Sequence, residues 1–370
     1  MKLSSNLFRM VFIMFILSAT AQTSDEDDGT RLRLMPGPNN PRNSEGSFIN
    51  LDHGKILFAY TKFMESSSDH APAKIMGRYS YDNGKTWTKK DVLIVDNEAG
   101  QNVMSVSFLR LHNGNIAMFY ALKNSLDDNI PQIRISKDNA SSWSEPTPII
   151  TDQKGYFVLN NDRVIQLSNG RLLAPVSLHK TSNSQWSHKG EIRCYYSDDD
   201  GKTWNRGQSL PAPADVITQE PGIVELNDKR IMMIIRASGG IQFKSFSEDN
   251  GYTWSIAEKS NIASPIAPAS IKRVLKTNDL VLVWNNNGES GPGYYKAKRS
   301  PLTLAISKDE GNNWVNIQNI ENNSNESYAY TAIEELEEHL LLAYYVKKDG
   351  EDTYELRIKR ISLKDIYQNQ

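Results

Sequence analysis

Cysteine is almost missing from this chain. Cys194 stands alone among 370 residues, which excludes an internal disulfide and leaves its thiol to be read as a small buried hydrophobe. No cysteine follows the small residues near the start, so no lipid-anchor site is expected. Long apolar runs are scarce too, and Met10 to Leu17 is too short to cross a bilayer. With Lys2 and Arg9 beside it and the small-x-small triplet Ala19-Thr20-Ala21 behind it, this run has the make-up of a secretory signal over 1–21. The mature chain, secreted or periplasmic, is then expected to start at Gln22 and to carry no integral membrane segment. A basic excess is also lacking: without Lys2 and Arg9 the basic count falls from 42 to 40 against 44 acidic residues. That leaves no electrostatic footprint for nucleic acid. Nor does any stretch beyond the signal show the apolar period of an amphipathic helix.

What the chain has is repetition. The octet "SYDNGKTW" (80–87) returns as "SKDNASSW" (136–143), "SDDDGKTW" (197–204), "SEDNGYTW" (247–254) and "SKDEGNNW" (307–314), at intervals of 56, 61, 50 and 60 residues. Such a period marks a repeat architecture. A second repeat of apolar strand, polar turn and apolar strand runs between the octets: "FINLDHGKILFAY" (48–60), "FLRLHNGNIAMFY" (108–120) and "VIQLSNGRLLAPV" (164–176). Fainter copies follow at 223–235, 271–284 and 332–345, giving six hairpins. At about 57 residues per unit, these fit an all-β chain, a six-bladed β-propeller of four-stranded antiparallel blades forming one domain over 22–370. The last blade has no octet, so a strand near the N-terminus is expected to close the ring. Within the octet, Asp accepts hydrogen bonds from its own turn, Gly supplies a positive φ and Trp buries its ring between neighbouring sheets. Ala140 in the second copy and Asn313 in the fifth show drift that suits a fold staple rather than a catalyst.

In a propeller the start of each innermost strand faces the axis. Counting back nine positions from Gly54, Gly114, Gly170, Lys229, Asn278 and His339 lands on Glu45, Ser105, Asn161, Glu220, Ala269 and Tyr330. The loop "SLHKTSNSQWSHKGE" holds His179, Trp186 and His188 where they can overhang the axis. The two histidines are nine apart with no third ligand in pattern, which argues against zinc.

The repeated S-x-D-x-G-x-T-W box resembles the Asp-box of the bacterial sialidase (neuraminidase) family, and the resemblance covers nearly the whole mature chain. It implies a six-bladed propeller and exo-α-sialidase activity. "QEPGIVELNDKRIMMIIR" is similar to the family's catalytic glutamate, hairpin and second arginine, which implies those roles for Glu220 and Arg236. "KRSPLTLAISKDEGNNW" implies the third arginine at Arg299, and "YAYTAI" followed by "LLLAYY" implies the nucleophile at Tyr330. Blade one departs from the family's Arg-Ile-Pro, so "PRNSEG" matches Arg42 by place alone. "SSSDHAPAKIMGRYS" offers Asp69 as the acid/base.

That chemistry suits those residue types. A sialic acid carries a carboxylate on its anomeric carbon, which planar guanidinium forks from three blades can clamp. The same charge repels a carboxylate nucleophile, and sialidases use Tyr instead. Tyr330 would attack with Glu220 as its base, and Asp69 would protonate the leaving oxygen and then activate water, with retention and without metal or organic cofactor. Glu45, Asn161, Asp162 and Arg163 also open onto the axis, where they either bind substrate or pair across the propeller centre. Two rivals stand beside the sialidase reading. One is a propeller glycosidase or polysaccharide lyase acting on another acidic sugar; the other is a non-catalytic glycan-binding propeller, which needs no nucleophile and base.

Overall fold

Stretches rich in Val, Ile, Leu, Phe and Tyr and cut by Gly, Asn and Asp form antiparallel hairpins, because side chains of that kind fit a pleated, half-buried surface. A computed structural model describes residues 28–288 and 298–368. The expected signal over 1–21 lies outside the described residues. Among those residues the chain is built of strands, apart from a one-turn 3-10 helix at Asp52–Gly54 and the short helix Leu363–Gln368. That second helix is a departure from the sequence reading. It forms because Leu363 and Ile366 bury against the last two sheets.

The first sheet holds Arg42–Asn50, Ile56–Phe63, Ala73–Ser80 and Val92–Val95 in chain order. A nine-stranded sheet follows, from Asn102–Arg110 to Asn205–Arg206. Its two halves meet at one parallel pairing, Tyr156 with Asn129. Two more four-stranded antiparallel sheets run from Thr218–Glu225 to Glu258–Ala263 and from Ser270–Val274 to Val315–Glu321. The last sheet contains Glu326–Glu335, His339–Lys348 and Glu355–Ser362, and Thr30–Leu34 completes it as the edge strand. The sheets meet in turn around a centre: Arg42–Asn50 touches Asn102–Arg110, Leu172–Thr181 of the nine-stranded sheet touches Thr218–Glu225, that strand touches Ser270–Val274, which touches Glu326–Glu335, and Glu326–Glu335 returns to Arg42–Asn50. This is a propeller-like ring.

The octets turn between the third and fourth strands, away from that centre. In the first copy Ser80 Oγ donates to Asp82 Oδ1 (2.9 Å), and Asp82 accepts from the Thr86 amide (2.8 Å) and hydroxyl (2.7 Å). The same bonds recur at Asp138, Asp199, Asp249 and, with Asn313 in place of the hydroxyl, Asp309. Two successive residues take positive φ in every copy, as at Asn250 (58°) and Gly251 (84°). The Gly also lies tight against a strand earlier in the ring: a Cβ on Gly251 would stand 2.8 Å from Leu173 Cδ1, and one on Gly84 would stand 2.8 Å from Leu341 Cδ2. The Trp rings wedge between neighbouring layers, Trp254 packing with Leu173 of the preceding sheet and Trp204 meeting Phe119 edge-on at 5.9 Å between the halves of the nine-stranded sheet.

While Ser270–Val274 pairs without a slip, four of the innermost strands share a feature that periodicity does not show. Their pairing registers slip between Ser44 and Ser47, Met104 and Ser107, Gln219 and Pro221, and Ala329 and Ala332. At each slip one non-glycine residue has positive φ: Glu45 (57°), Ser105 (60°), Glu220 (37°) and Tyr330 (57°). These are β-bulges, which re-aim a side chain out of the pleat. In the nine-stranded sheet the corresponding inner strand is broken outright into Gly155–Val158 and Ile165–Gln166, with Asp162 (φ 56°) in the gap.

Two measurements check this account of the octets. Gly251→Ala is expected to lower stability by about 2–4 kcal/mol in thermal or denaturant unfolding, from left-handed strain plus overpacking on Leu173. Hydrogen bonds from Ser142, side chain first, hold the Asp138 carboxyl at about 2 against an ordinary 3.8. A depressed folded-state value means that its stabilisation is present above the unfolded value and is lost as pH falls through the folded one. Melting temperatures between pH 6 and 2 are expected to fall on acidification, and less steeply for Asp138→Asn.

Candidate active site

Three arginines from separate parts of the ring open the site, Arg42 and Arg236 buried and Arg299 half-buried. Arg42 begins its strand, Arg236 ends the second strand of its sheet, and Arg299 precedes Leu302–Ser307. With Asp69, Tyr156, His179, Trp186, Glu220, Tyr330, Tyr345 and Tyr354 they line a cavity of about 290 Å³. Six of the residues expected from sequence therefore meet in one place: Arg42, Asp69, Glu220, Arg236, Arg299 and Tyr330.

Each charge there is matched. Arg42 donates from Nε to Ser44 Oγ (2.9 Å), from Nη1 to Asp69 Oδ1 (2.5 Å) and from Nη2 to Glu45 Oε1. Its guanidinium also lies 4.2 Å from the Phe63 ring centroid. Arg236 Nη1 donates to Glu220 Oε2. Arg299 Nη1 donates to the Tyr345 hydroxyl (2.9 Å), and its guanidinium sits 5.9 Å from the Tyr330 ring. The Tyr330 hydroxyl donates to Glu220 Oε1 at 3.1 Å.

The bulges decide which side chains take part. Strict alternation would put Tyr328 and Tyr330 on one face. Instead Tyr328 is buried in the core with its hydroxyl on Glu326, while the positive φ at Tyr330 turns that ring to the cavity. Glu220 reaches Arg236 in the same way.

Burial pushes the Tyr330 phenol well above 10, the Glu220 carboxylate adds to this, and Arg236 and Arg299 oppose it. Burial also raises Glu220, but Arg236 and then Arg299 outweigh it, so this carboxyl sits below its usual range. An ionised carboxylate therefore accepts the proton of a neutral phenol. Desolvation raises Asp69 as well, yet Arg42 and Lys123 hold it at about 2. Glu45 is pushed up by burial despite Arg42.

Not every expected residue reaches the cavity. Glu45 lies beneath Arg42, with Oε2 accepting from Ser105 Oγ (2.5 Å), and lines only a smaller adjoining space. Asn161, Asp162 and Arg163 line neither: their polar groups tie inner strands across the centre. Asn161 Nδ2 donates to Gly46 O (2.7 Å) and Tyr330 O (3.1 Å). Asp162 accepts from Ser47 Oγ (3.0 Å) and the Ile333 amide (2.9 Å). Arg163 donates to Ser270 Oγ (3.1 Å) and Ala269 O (2.9 Å). The link across the centre is thus made of hydrogen bonds rather than ion pairs. The cause is the broken inner strand, which sends this segment through the middle of the ring. Asp162 and Arg163 border a larger, mostly apolar cavity of about 470 Å³ at the opposite ends of the inner strands, away from the arginine cluster.

Other contributors were not visible in the sequence. Lys123 is fully buried, and its Nζ donates to Asp69 O (2.6 Å). Asn102 Nδ2 donates to the same carbonyl (2.9 Å) and to Ala71 O (2.8 Å), so both hold the Asp69 loop. A lysine in phase with Phe119 and Ala121 on an apolar strand is the signal that marks it. Tyr345 and Tyr354 carried no signal among sixteen tyrosines. Trp186, expected to overhang, stacks on His179 at 5.2 Å and meets Tyr156 edge-on at 5.0 Å, forming an aromatic wall. His179 Nδ1 is engaged with Ser187 O. Among the described residues no three metal-ligating side chains cluster, and no helix is long and apolar enough to cross a membrane.

The family model of the BNR repeat-like domain matches residues 91–342, and that of the BNR/Asp-box repeat matches 78–89. A sialidase of Clostridium perfringens is 25% identical over 236 residues, 57% of this chain and 60% of that protein. A sialidase of Micromonospora viridifaciens is 24% identical over 305 residues, 70% of this chain and 43% of its own length. The chain thus spans about half the length of the curated relatives it matches. Among solved structures, a Trypanosoma rangeli sialidase in complex with sialic acid superposes with a TM-score of 0.66 at 18% identity, covering 88% of this chain and 55% of that one. A sialidase of Streptococcus pneumoniae gives 0.70 at 15% identity, covering 91% and 71%. Because the matched stretch takes in four of the five octets and the strands that carry Glu220, Arg236 and Tyr330, the chain belongs to the bacterial sialidase family of BNR/Asp-box repeat proteins.

Proposed function

We propose that the protein is an exported retaining exo-α-sialidase, a single six-bladed propeller in which the nine-stranded sheet counts as two blades. The observation that carries this reading is the half-buried contact of the Tyr330 hydroxyl with Glu220, set among three arginines. A protein that only binds glycans has no use for a phenol poised on an ionised carboxylate. The substrate carboxylate would sit between Arg42, Arg236 and Arg299, with the anomeric carbon before the Tyr330 oxygen. Glu220 takes the phenol proton as the tyrosyl bond to the anomeric carbon forms and the glycosidic bond breaks. The leaving oxygen takes its proton from Asp69, which then accepts one from the water that hydrolyses the intermediate.

An Asp69 held at about 2 cannot act as an acid at neutral pH, and the clamp itself offers the remedy. A substrate carboxylate on Arg42 competes with Asp69 for the same guanidinium and adds a negative charge nearby. Both effects raise the Asp69 carboxyl, so the acid is armed by the substrate it serves.

Two tests follow. Wild type is expected to hydrolyse an aryl α-sialoside with retention, and Tyr330→Phe to lose about 10³-fold or more in kcat; a folded wild type without turnover would sink the reading. Asp69→Asn is expected to slow cleavage of a sialyl-sugar about 10²–10⁴-fold and to slow an aryl sialoside far less, because a phenolate leaves without a proton. Equal losses on both substrates would remove Asp69 from the acid role.

A further inference from the structure

The loop that carries Asp69 hangs from two kinds of support. On the cavity side Arg42 Nη1 donates to the Asp69 carboxylate (2.5 Å) and to Ser67 O (3.1 Å). On the inner side Lys123 Nζ and Asn102 Nδ2 both donate to Asp69 O, at 2.6 Å and 2.9 Å. Lys123 and Asn102 stand directly opposite each other on neighbouring strands, so their side chains share a face and converge on one oxygen. Two donors use both lone pairs of that carbonyl. Both residues are fully buried, whereas the Asp69 side chain is 60% exposed. The main chain of the acid is thus pinned while its carboxyl keeps room to turn.

Lys123 is a costly way to make one hydrogen bond. Among the described residues it forms no salt bridge, and its Nζ otherwise meets Met104 Sδ (3.4 Å) and the Tyr156 ring, 5.2 Å from the centroid. Burial pulls its ammonium down to about 8, against Asp69 and then Glu45, so the group is charged at neutral pH. A buried charge without a contacting anion opposes folding, and an apolar side chain of the same length would fill the space without that cost. What the charge brings is a stronger bond to the main chain of the residue that has to move a proton. The two supports also respond differently to a ligand. A carboxylate arriving at Arg42 competes for the bonds that this guanidinium makes to the loop, while the Lys123 and Asn102 bonds lie out of its reach.

We propose that Lys123 is a positioning residue for the proton transfer: with Asn102 it keeps the Asp69 main chain in place when substrate takes Arg42 from the Asp69 side chain, so that the freed carboxyl turns to the leaving oxygen. This role presupposes the sialidase reading.

Lys123→Met keeps the length of the side chain and removes the charge. Its kcat is expected to fall about tenfold to a hundredfold on a sialyl-sugar and less than about twofold on an aryl α-sialoside, whose phenolate leaves without a proton. Added to Asp69→Asn it is expected to cost little more, because the group it positions is already lost. Equal losses on the two substrates, full additivity with Asp69→Asn, or faster cleavage of the sialyl-sugar overturns the role; the last outcome means that the ammonium acts on Asp69 through charge alone. Asn102→Ala, which removes the other donor and leaves the charge, serves if the methionine variant does not fold and is expected to show the same selective loss. Hydrogen exchange read by mass spectrometry does not depend on turnover. In Lys123→Met the amides of residues 65–71 are expected to exchange about fivefold faster or more, as the loss of one hydrogen bond implies, with those of Ile231–Ala237 unchanged. If neither glycoside is cleaved, the sialidase reading fails, and exchange still decides the tether: acceleration confined to the loop supports it, while unchanged exchange overturns it.

Discussion

Backbone strain at the inner strands underlies the whole site. Glu45, Ser105, Glu220 and Tyr330 each hold φ between 37° and 60°, a region that costs a side-chain-bearing residue about 1–2 kcal/mol. Four such residues together oppose folding by about 4–8 kcal/mol. The surrounding sheets must offset that cost, and they are built to do so, with fully buried Leu57, Phe119, Ile235 and Leu342 on the strands next to each bulge. Without the bulge Tyr330 would follow Tyr328 into the packing between sheets, and Glu220 would not reach Arg236.

Charge balance is the second constraint. Arg42, Arg236 and Arg299, with Lys123 behind them, face Glu45, Asp69 and Glu220, so most of the positive charge is matched. Buried charges persist when paired and hydrogen-bonded, and here the pairing also sets reactivity. Arg236 holds Glu220 ionised, while burial and that carboxylate keep the neighbouring Tyr330 phenol neutral against the opposing pull of Arg236 and Arg299. Asp69 differs, being bound to Arg42 at the rim, where an arriving anion can compete.

Much of this was legible in the sequence because octet spacing and hairpin pattern depend on local chemistry. The Ser-Asp-Thr bonding of each octet involves residues at most four apart, and counting back from the hairpin turns found Glu45, Ser105, Glu220 and Tyr330. The same count gave Asn161 in the broken strand, where the positive φ belongs to Asp162. Counting presumes an intact strand, and "LNNDRV" interrupts one. Lys123, Tyr345 and Tyr354 were hidden for another reason, since their partners Asp69, Arg299 and Arg42 come from distant parts of the chain.

The edge strand Thr30–Leu34 closes the ring on Glu355–Ser362, and eight residues later the chain enters the cavity at Arg42. There the Asn43 amide donates to Tyr354 O, the Tyr354 amide donates to Pro41 O, and the Tyr354 ring sits 5.2 Å from the Arg42 guanidinium. The ring is therefore sewn shut beside the Arg42 guanidinium. A molecule fastened this way reports the state of its seam through its chemistry. Fraying at that edge is expected to reach Arg42 before Glu220 or Tyr330, because Arg42 alone of the three lies against the seam.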